Sequence, residues 1–170
     1  MVAAIFLFLH LFFALLVFFL VIAFVTGAPF VPSTNPVAQS MIGLARIKPD
    51  MNVYDLGSGN GKLLFLAAKQ GAIALGFEIN PFLVLLSWMR TLISPYRNRI
   101  TTRWQNFWTA DLSRADVVFI YLLPWRMEQL KRKLQNELKP GSLVVSNSFI
   151  FPGWNILRHD REKHVYVFRV

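Results

Sequence analysis

The stretch YDLGSGNGK, residues 54–62, places glycine at positions 57, 59 and 61 directly after an apolar run that ends at Leu56. Glycine accepts left-handed backbone and close approach of a ligand, so such a loop at the end of a strand is a place for a nucleotide-like group. Two phosphate-binding readings fail on spacing. A P-loop requires G-x-x-x-x-G-K-[ST]; Gly61 and Lys62 supply the pair, but Leu56 stands where the first glycine belongs and Leu63 where magnesium needs a hydroxyl. A dinucleotide fingerprint requires G-x-G-x-x-G, and its last position falls on Lys62 or on Leu64 in the two possible registers.

Outward from this loop the chain alternates strand-like and helix-like segments. Residues 52–56 form a short apolar strand. A helix is expected over 62–70, packing through Leu63, Leu64, Leu66 and Ala67 and closed by Gly71. A second strand is expected at 73–77, then a helix opened by Pro81 and running to about 93 through Leu85 and Met89. Residues 100–105 alternate as a third strand, and 116–122 form a continuous apolar run after the first residue, Asp116, as expected of a strand buried on both faces. Met127, Leu130, Leu134 and Leu138 recur at helical spacing over 125–138, followed by a fifth strand at 142–146. Residues 154–159 and 164–170 alternate about the polar turn DREK and read as a hairpin. These segments imply an α/β fold with a mostly parallel sheet and one antiparallel strand, whose ligand site lies beyond the carboxyl ends of the strands.

Ahead of this domain, residues 2–25 carry no charge, and His10 is their one strongly polar side chain. As a helix they would rise roughly 36 Å, enough to cross a hydrocarbon core of roughly 30 Å. This reads as a single transmembrane helix. A cleaved signal peptide is the competing assignment; no Lys or Arg precedes the run, although VTGA at its end weakly resembles a cleavage site. Every cation and every acid lies at or beyond Arg46, and the net charge of +9 therefore belongs to the part after the span. The positive-inside rule places that part on the cytoplasmic side. A basic surface on a tethered domain is expected to lie against anionic lipid of the bilayer rather than nucleic acid. Cysteine is absent, which excludes disulfides and thiolate metal sites, and no metal is expected. The expected division is an anchor over 1–26, a connector and short helix over 27–45 containing GAPFVPSTNP, and the α/β domain over 46–170.

The spacing Asp55, Gly57, Gly59, Gly61 resembles the D-x-G-x-G-x-G loop of class I S-adenosylmethionine (SAM) methyltransferases. Glu78, in GFEINP, falls 23 residues after Asp55 at the end of the second strand, where a carboxylate can accept both ribose hydroxyls. The resemblance implies a Rossmann-like seven-strand methyltransferase sheet with a C-terminal β-hairpin. It implies a cofactor set of Asp55, Gly57, Ser58, Gly59, Gly61, Glu78, Ile79 and Asn80, with Asn106 and Phe107 at the adenine. Lys62, with no phosphate to hold, is expected as the first exposed residue of its helix.

The order APFVPS, DLGSGNGK, GFEINP, YLLP and FPGW, after an apolar span, is similar to that of the membrane-anchored lysine methyltransferases that modify the c-ring protein of ATP synthase and the adenine nucleotide translocase, and their prokaryotic relatives. The likeness covers residues 28–154. It implies methyl transfer from SAM to a lysine amine of a membrane protein, with Phe30, Pro32, Ser33 and Thr34 forming a roof over the cofactor. No side chain stands out as a catalytic base; Thr34, Tyr121 and Asn147 are the candidates for positioning the amine. Methylation of a lipid headgroup or amphipathic small molecule, and a non-catalytic SAM-binding module, are the rival functions.

Overall fold

The structure, a computed structural model, describes residues 1–26 and 31–170. The first helix, α1 (Val2–Thr26), is followed by α2 (Asn35–Ala45). Seven strands then form one sheet: β1 (Asn52–Leu56), β2 (Ile73–Glu78), β3 (Ile100–Trp104), β4 (Val117–Ile120), β5 (Leu143–Asn147), β6 (Ile156–Asp160) and β7 (Val165–Arg169). Between them lie α3 (Lys62–Lys69), α4 (Pro81–Leu92) and α5 (Met127–Glu137).

The strand order is β3-β2-β1-β4-β5-β7-β6. Pairs from β3 through β5 are parallel, and β7 runs antiparallel to both of its neighbours, β5 and β6. The expected single reversed strand is therefore β7. The order reverses between β1 and β4, so the crevice outside their carboxyl ends is where an open α/β sheet binds its ligand.

Apolar side chains cover both faces of the sheet. On one side Met41, Ile42, Leu64 and Ala67 pack with Val53, Phe119 and Val167; on the other Leu130 and Leu134 pack with Leu56, Val118 and Phe168. The continuous apolar character of β4 follows, since all four of its residues are buried. Helix α2, in the segment expected to connect anchor and domain, buries Ala38, Met41, Ile42 and Ala45 against this sheet.

Local chemistry sets the boundaries. Helix α3 ends on Gly71 at φ 89°, whose N–H donates to Ala68 O at 2.9 Å while Ala72 N–H donates to Ala67 O at 3.2 Å. Helix α4 starts where Asn80 Oδ1 accepts from Phe82 N–H at 3.0 Å, with Pro81 in its first turn. Its buried residues are Val84 and Ser87, whereas Leu85 and Met89, on the expected path of the helix, are exposed. Strand β4 stops at Ile120, two residues short of expectation, and Tyr121 and Leu122 leave the sheet for a loop that turns at Pro124. Strand β6, at the sheet edge, carries an irregularity between Ile156 and Arg158, which discourages further pairing.

Helix α1 is long and apolar enough to cross a membrane, with mean hydropathy 2.8 over Val2–Phe19. His10 donates through Nδ1 to Phe6 O at 2.7 Å, one turn back. Phe12 and Phe19 meet Phe82 of α4 edge-on, with ring centroids 6.3 and 6.5 Å apart.

Candidate active site

Parallel pairing aligns Asp55 with Gly76 and Leu56 with Phe77, so Glu78 stands one residue beyond the end of β1. The glycine loop then folds across the end of β2. Gly57 and Ser58 both donate their N–H groups to Phe77 O, at 2.9 and 3.0 Å, and Gly61 N–H closes the turn on Ser58 O at 2.9 Å. Gly57, Gly59 and Gly61 have φ of 85°, 54° and 80°, the left-handed region where a side chain is disfavoured. A fourth glycine matters from a distance. A Cβ on Gly76 would lie 2.5 Å from Ser58 Oγ and 2.6 Å from Leu64 Cδ1, so β2 must lack a side chain there for loop and α3 to close.

Glu78 fastens both flanks of this turn. Its Oε2 accepts from Gly59 N–H at 2.8 Å, and its Oε1 accepts from Ile79 and Asn80 N–H at 2.9 and 2.8 Å. Burial pushes the Glu78 carboxyl above its ordinary range, while those same N–H groups favour the charged form. Asp55 is buried at the end of β1; desolvation first, and the charge of Glu78 second, push its pKa up to about 7.

Two clefts meet over this acid pair. One is lined by Pro32, Ser33, Asp55, the glycine loop, Ile120 and Tyr121; the other by Phe77, Ile79, Gln105, Asn106 and Phe107. Gly57 and Glu78 line both. Asn106 Oδ1 accepts from Trp108 N–H at 3.1 Å, which starts a short 3-10 turn and buries Phe107 beneath the second cleft. An apolar pocket lined by Val31, Tyr121, Leu122, Leu123 and Phe149 adjoins the first cleft, with which it shares Val31 and Tyr121.

A family model described as the ANTKMT methyltransferase domain matches residues 55–158. A protein-lysine N-methyltransferase of Saccharolobus islandicus (strain REY15A) is 38% identical over 139 residues, covering 78% of this chain and 84% of the relative. The chain belongs to the ANTKMT methyltransferase family.

The adenine nucleotide translocase lysine N-methyltransferase of Mus musculus is 33% identical over 74% of the chain, which spans 55% of that longer relative. Among solved structures, an RNA methyltransferase from Salinibacter ruber in complex with S-adenosyl-L-homocysteine superposes with a TM-score of 0.76 at 35% identity, covering 82% of this chain and 92% of that one. This protein is accordingly a SAM-dependent methyltransferase with a Rossmann-like sheet.

Two hydrogen bonds reach Ser33 on the wall of the methyltransferase cleft. Lys62 is half-buried and lines the cleft; its Nζ donates to Ser33 O at 2.6 Å. The expectation of an exposed lysine is corrected here, because the acceptor that engages the ammonium belongs to a segment 29 residues earlier in the chain. Asn147, buried at the end of β5, donates through Nδ2 to Ser33 Oγ at 3.3 Å and accepts through Oδ1 from Ser148 Oγ at 2.9 Å. Ser33 is thus held from two directions. Pro32 and Ser33 line the cleft. Thr34 is exposed at the start of α2 and does not line it, and Phe30 falls outside the described residues. Tyr121 stands between the cleft and the apolar pocket. Sequence reasoning missed Gln105, Ile120, Val31 and the apolar pocket; the strand ends at 104 and 120 were the signal that could have found the first two.

Proposed function

We propose that this chain is a membrane-anchored protein-lysine N-methyltransferase. The observation that carries the reading is the apolar pocket sharing Val31 and Tyr121 with the glycine-loop cleft, in a chain whose similar proteins include a protein-lysine N-methyltransferase. A lysine side chain has an apolar stem and an amine that must lose its proton before it attacks. An apolar wall of Leu122, Leu123 and Phe149 accommodates the stem and lowers the amine pKa from about 10.4 by desolvation. Val31 and Tyr121 flank the boundary across which donor and acceptor would align.

The donor set fits SAM, which supplies a methyl group already activated on a sulfonium. Gly57 and Gly59 leave their part of the cleft wall without side chains, Gly61 turns the chain into α3, and the carboxylates of Asp55 and Glu78 line the cleft where they would oppose the positive charge and accept hydroxyls of such a ligand. Ser58, Ile79 and Asn80 shape the turn, with Ser58 Oγ buried and without a hydrogen-bond partner among the described residues. Asn106 and Phe107 are assigned to the adenine end. Pro32 and Ser33 form the roof; Tyr121 and Asn147 position the amine, Asn147 through Ser33.

The proposed division is anchor 1–26, connector and short helix 27–45, and catalytic domain 46–170, cytoplasmic by the charge rule. Helix α4 supports a membrane-facing orientation. Leu85, Leu86, Met89, Leu92 and Ile93 are exposed along it, the last by 87%, and its Phe82 touches α1. Arg97 lies exposed just beyond the end of α4, where anionic headgroups would meet it.

The test is incubation of host membranes and cell extract with methyl-labelled SAM, followed by separation of protein, lipid and RNA. Label in protein, recovered as methyl-lysine on hydrolysis and lost with Gly57→Val, supports the proposal. Label in lipid or RNA, or SAM binding without transfer to any fraction, overturns it.

A further inference from the structure

At the end of the sheet opposite the SAM cleft, where β1 and β5 begin and β7 ends, lies a cavity of about 460 Å³. Its lining includes Arg46, Lys48, Lys139, Arg158 and Arg169, with Asp116 as the one acid among them. Asp116 is already engaged: Lys139 Nζ lies 2.6 Å from Oδ1 and Asn52 N–H donates to Oδ2 at 2.7 Å. Among the described residues no ion pair reaches Arg46, Lys48, Arg158 or Arg169.

Arg158 is the unusual member. Its Nε and Nη2 are shut off from solvent and have no hydrogen-bond partner among the described residues. Burial first, then the like charges of Arg46 and Arg169, work against its protonation. A guanidinium remains charged in proteins, and a buried charge without a partner is strongly unfavourable. Three arginines converging on one space repel each other and, among the described residues, lack the acceptors that their planar donor forks match.

We propose that this cavity is a binding site for a phosphate-class oxyanion, held by Arg158 within and by Arg46 and Arg169 at the rim. Such a group offers several acceptor oxygens in the geometry that arginine engages in paired hydrogen bonds. The phosphate could belong to a soluble ligand or to an acidic lipid headgroup, and the chemistry of recognition is the same. The site is separate from the SAM cleft and does not depend on the lysine substrate.

The full chain, in nanodiscs of neutral lipid, is titrated with inorganic pyrophosphate at constant ionic strength while thermal unfolding and heat of binding are followed. The expected result is a saturable rise in unfolding temperature. Arg158→Gln and, separately, the exposed Arg169→Gln should each weaken pyrophosphate binding by about tenfold or more, as expected for loss of a charge-assisted pair. SAM affinity should stay unchanged in both, which certifies the fold. Arg158→Gln without ligand should unfold at the same or a higher temperature than the parent, since it removes an unpartnered charge. In nanodiscs containing phosphatidic acid, loss of the pyrophosphate response identifies the headgroup as the source, and its persistence identifies a soluble phosphate. Absence of a saturable response in neutral nanodiscs, or pyrophosphate binding in both variants as tight as in the parent, overturns the proposal.

Discussion

Lys62 Nζ lies 2.6 Å from Ser33 O, so the first residue of the helix after the glycine loop also holds a segment that lines the cleft. The helix that follows the glycine loop and the Pro32–Ser33 segment are therefore joined by a charge-assisted hydrogen bond beside the cleft.

Lys62→Met tests this coupling. A hydrogen bond from a charged donor is worth roughly 1.5–3 kcal/mol when buried, and Lys62 is only half-buried, so the lower part of that range applies. SAM should bind about tenfold more weakly, the equivalent of about 1.4 kcal/mol, with Lys62→Arg recovering part of the loss. Isothermal titration on the full chain measures it; equal affinity in parent and Lys62→Met would show that the roof is held without the lysine.

Glu78→Gln should act on both fold and cofactor. The carboxylate accepts three backbone N–H groups through two oxygens, and an amide must present its NH2 to at least one of those donors. The unsatisfied buried group should lower stability by about 1–3 kcal/mol. SAM affinity should fall with it. Denaturant unfolding paired with titration separates the two effects; a stable variant with normal SAM binding would contradict the geometry.

The site was legible in the sequence where chemistry is written in consecutive positions. Spacing marked the glycine loop, and the resemblance to class I methyltransferases picked out Glu78 at the end of the second strand; backbone conformation at 57–61 and the end of β2 are local properties. The mostly parallel sheet with one reversed strand followed from alternation of elements and the terminal hairpin. What stayed hidden depends on distant segments meeting. Lys62 looked solvent-facing because its acceptor is Ser33, and Asn147 reaches Ser33 across 114 residues. Leu85 and Met89 follow a helical period that gives no sign of which face packs, and the fold buries Val84 and Ser87 instead. The arginine cavity exists because β7 inserts between β5 and β6, bringing Arg158 and Arg169 beside Arg46.

Asp55 gives the protein without cofactor a pH signature. Folding raises its pKa from 3.8 to about 7, through burial and then Glu78. Between those values the folded state binds more protons than the unfolded state, so this group makes stability fall as pH rises. The contribution is greatest at low pH and lost as pH passes 7. The unfolding temperature without SAM should therefore be higher at pH 5 than at pH 8, and Asp55→Asn should flatten the difference. SAM affinity should run the other way, rising through pH 7 as the carboxylate ionises beside a cationic ligand. Calorimetry across pH 5–8 on parent and variant checks both slopes; parallel profiles would remove Asp55 as their source.

Two alanine substitutions at glycine should have opposite signs. At Gly61 the backbone is left-handed, φ 80°, and a new Cβ would sit 2.5 Å from Ser87 Oγ and 3.1 Å from Phe65 Cε2. Ser87 Oγ is itself buried in a hydrogen bond with Thr102 Oγ1 at 2.7 Å, so it cannot withdraw freely. Gly61→Ala should destabilise by about 1–3 kcal/mol from strain alone, and it should weaken SAM binding by distorting the loop. Gly43 lies inside α2, exposed, with nothing within 4 Å of the added carbon. There alanine restricts the unfolded chain and suits the helix, so Gly43→Ala should stabilise by about 0.5–1 kcal/mol and leave SAM affinity unchanged. Chemical denaturation of the two variants against the parent decides the matter. A destabilised Gly43→Ala would mean that α2 is held in a backbone conformation other than the one described, and a neutral Gly61→Ala would mean that the turn after β1 can relax away from Ser87.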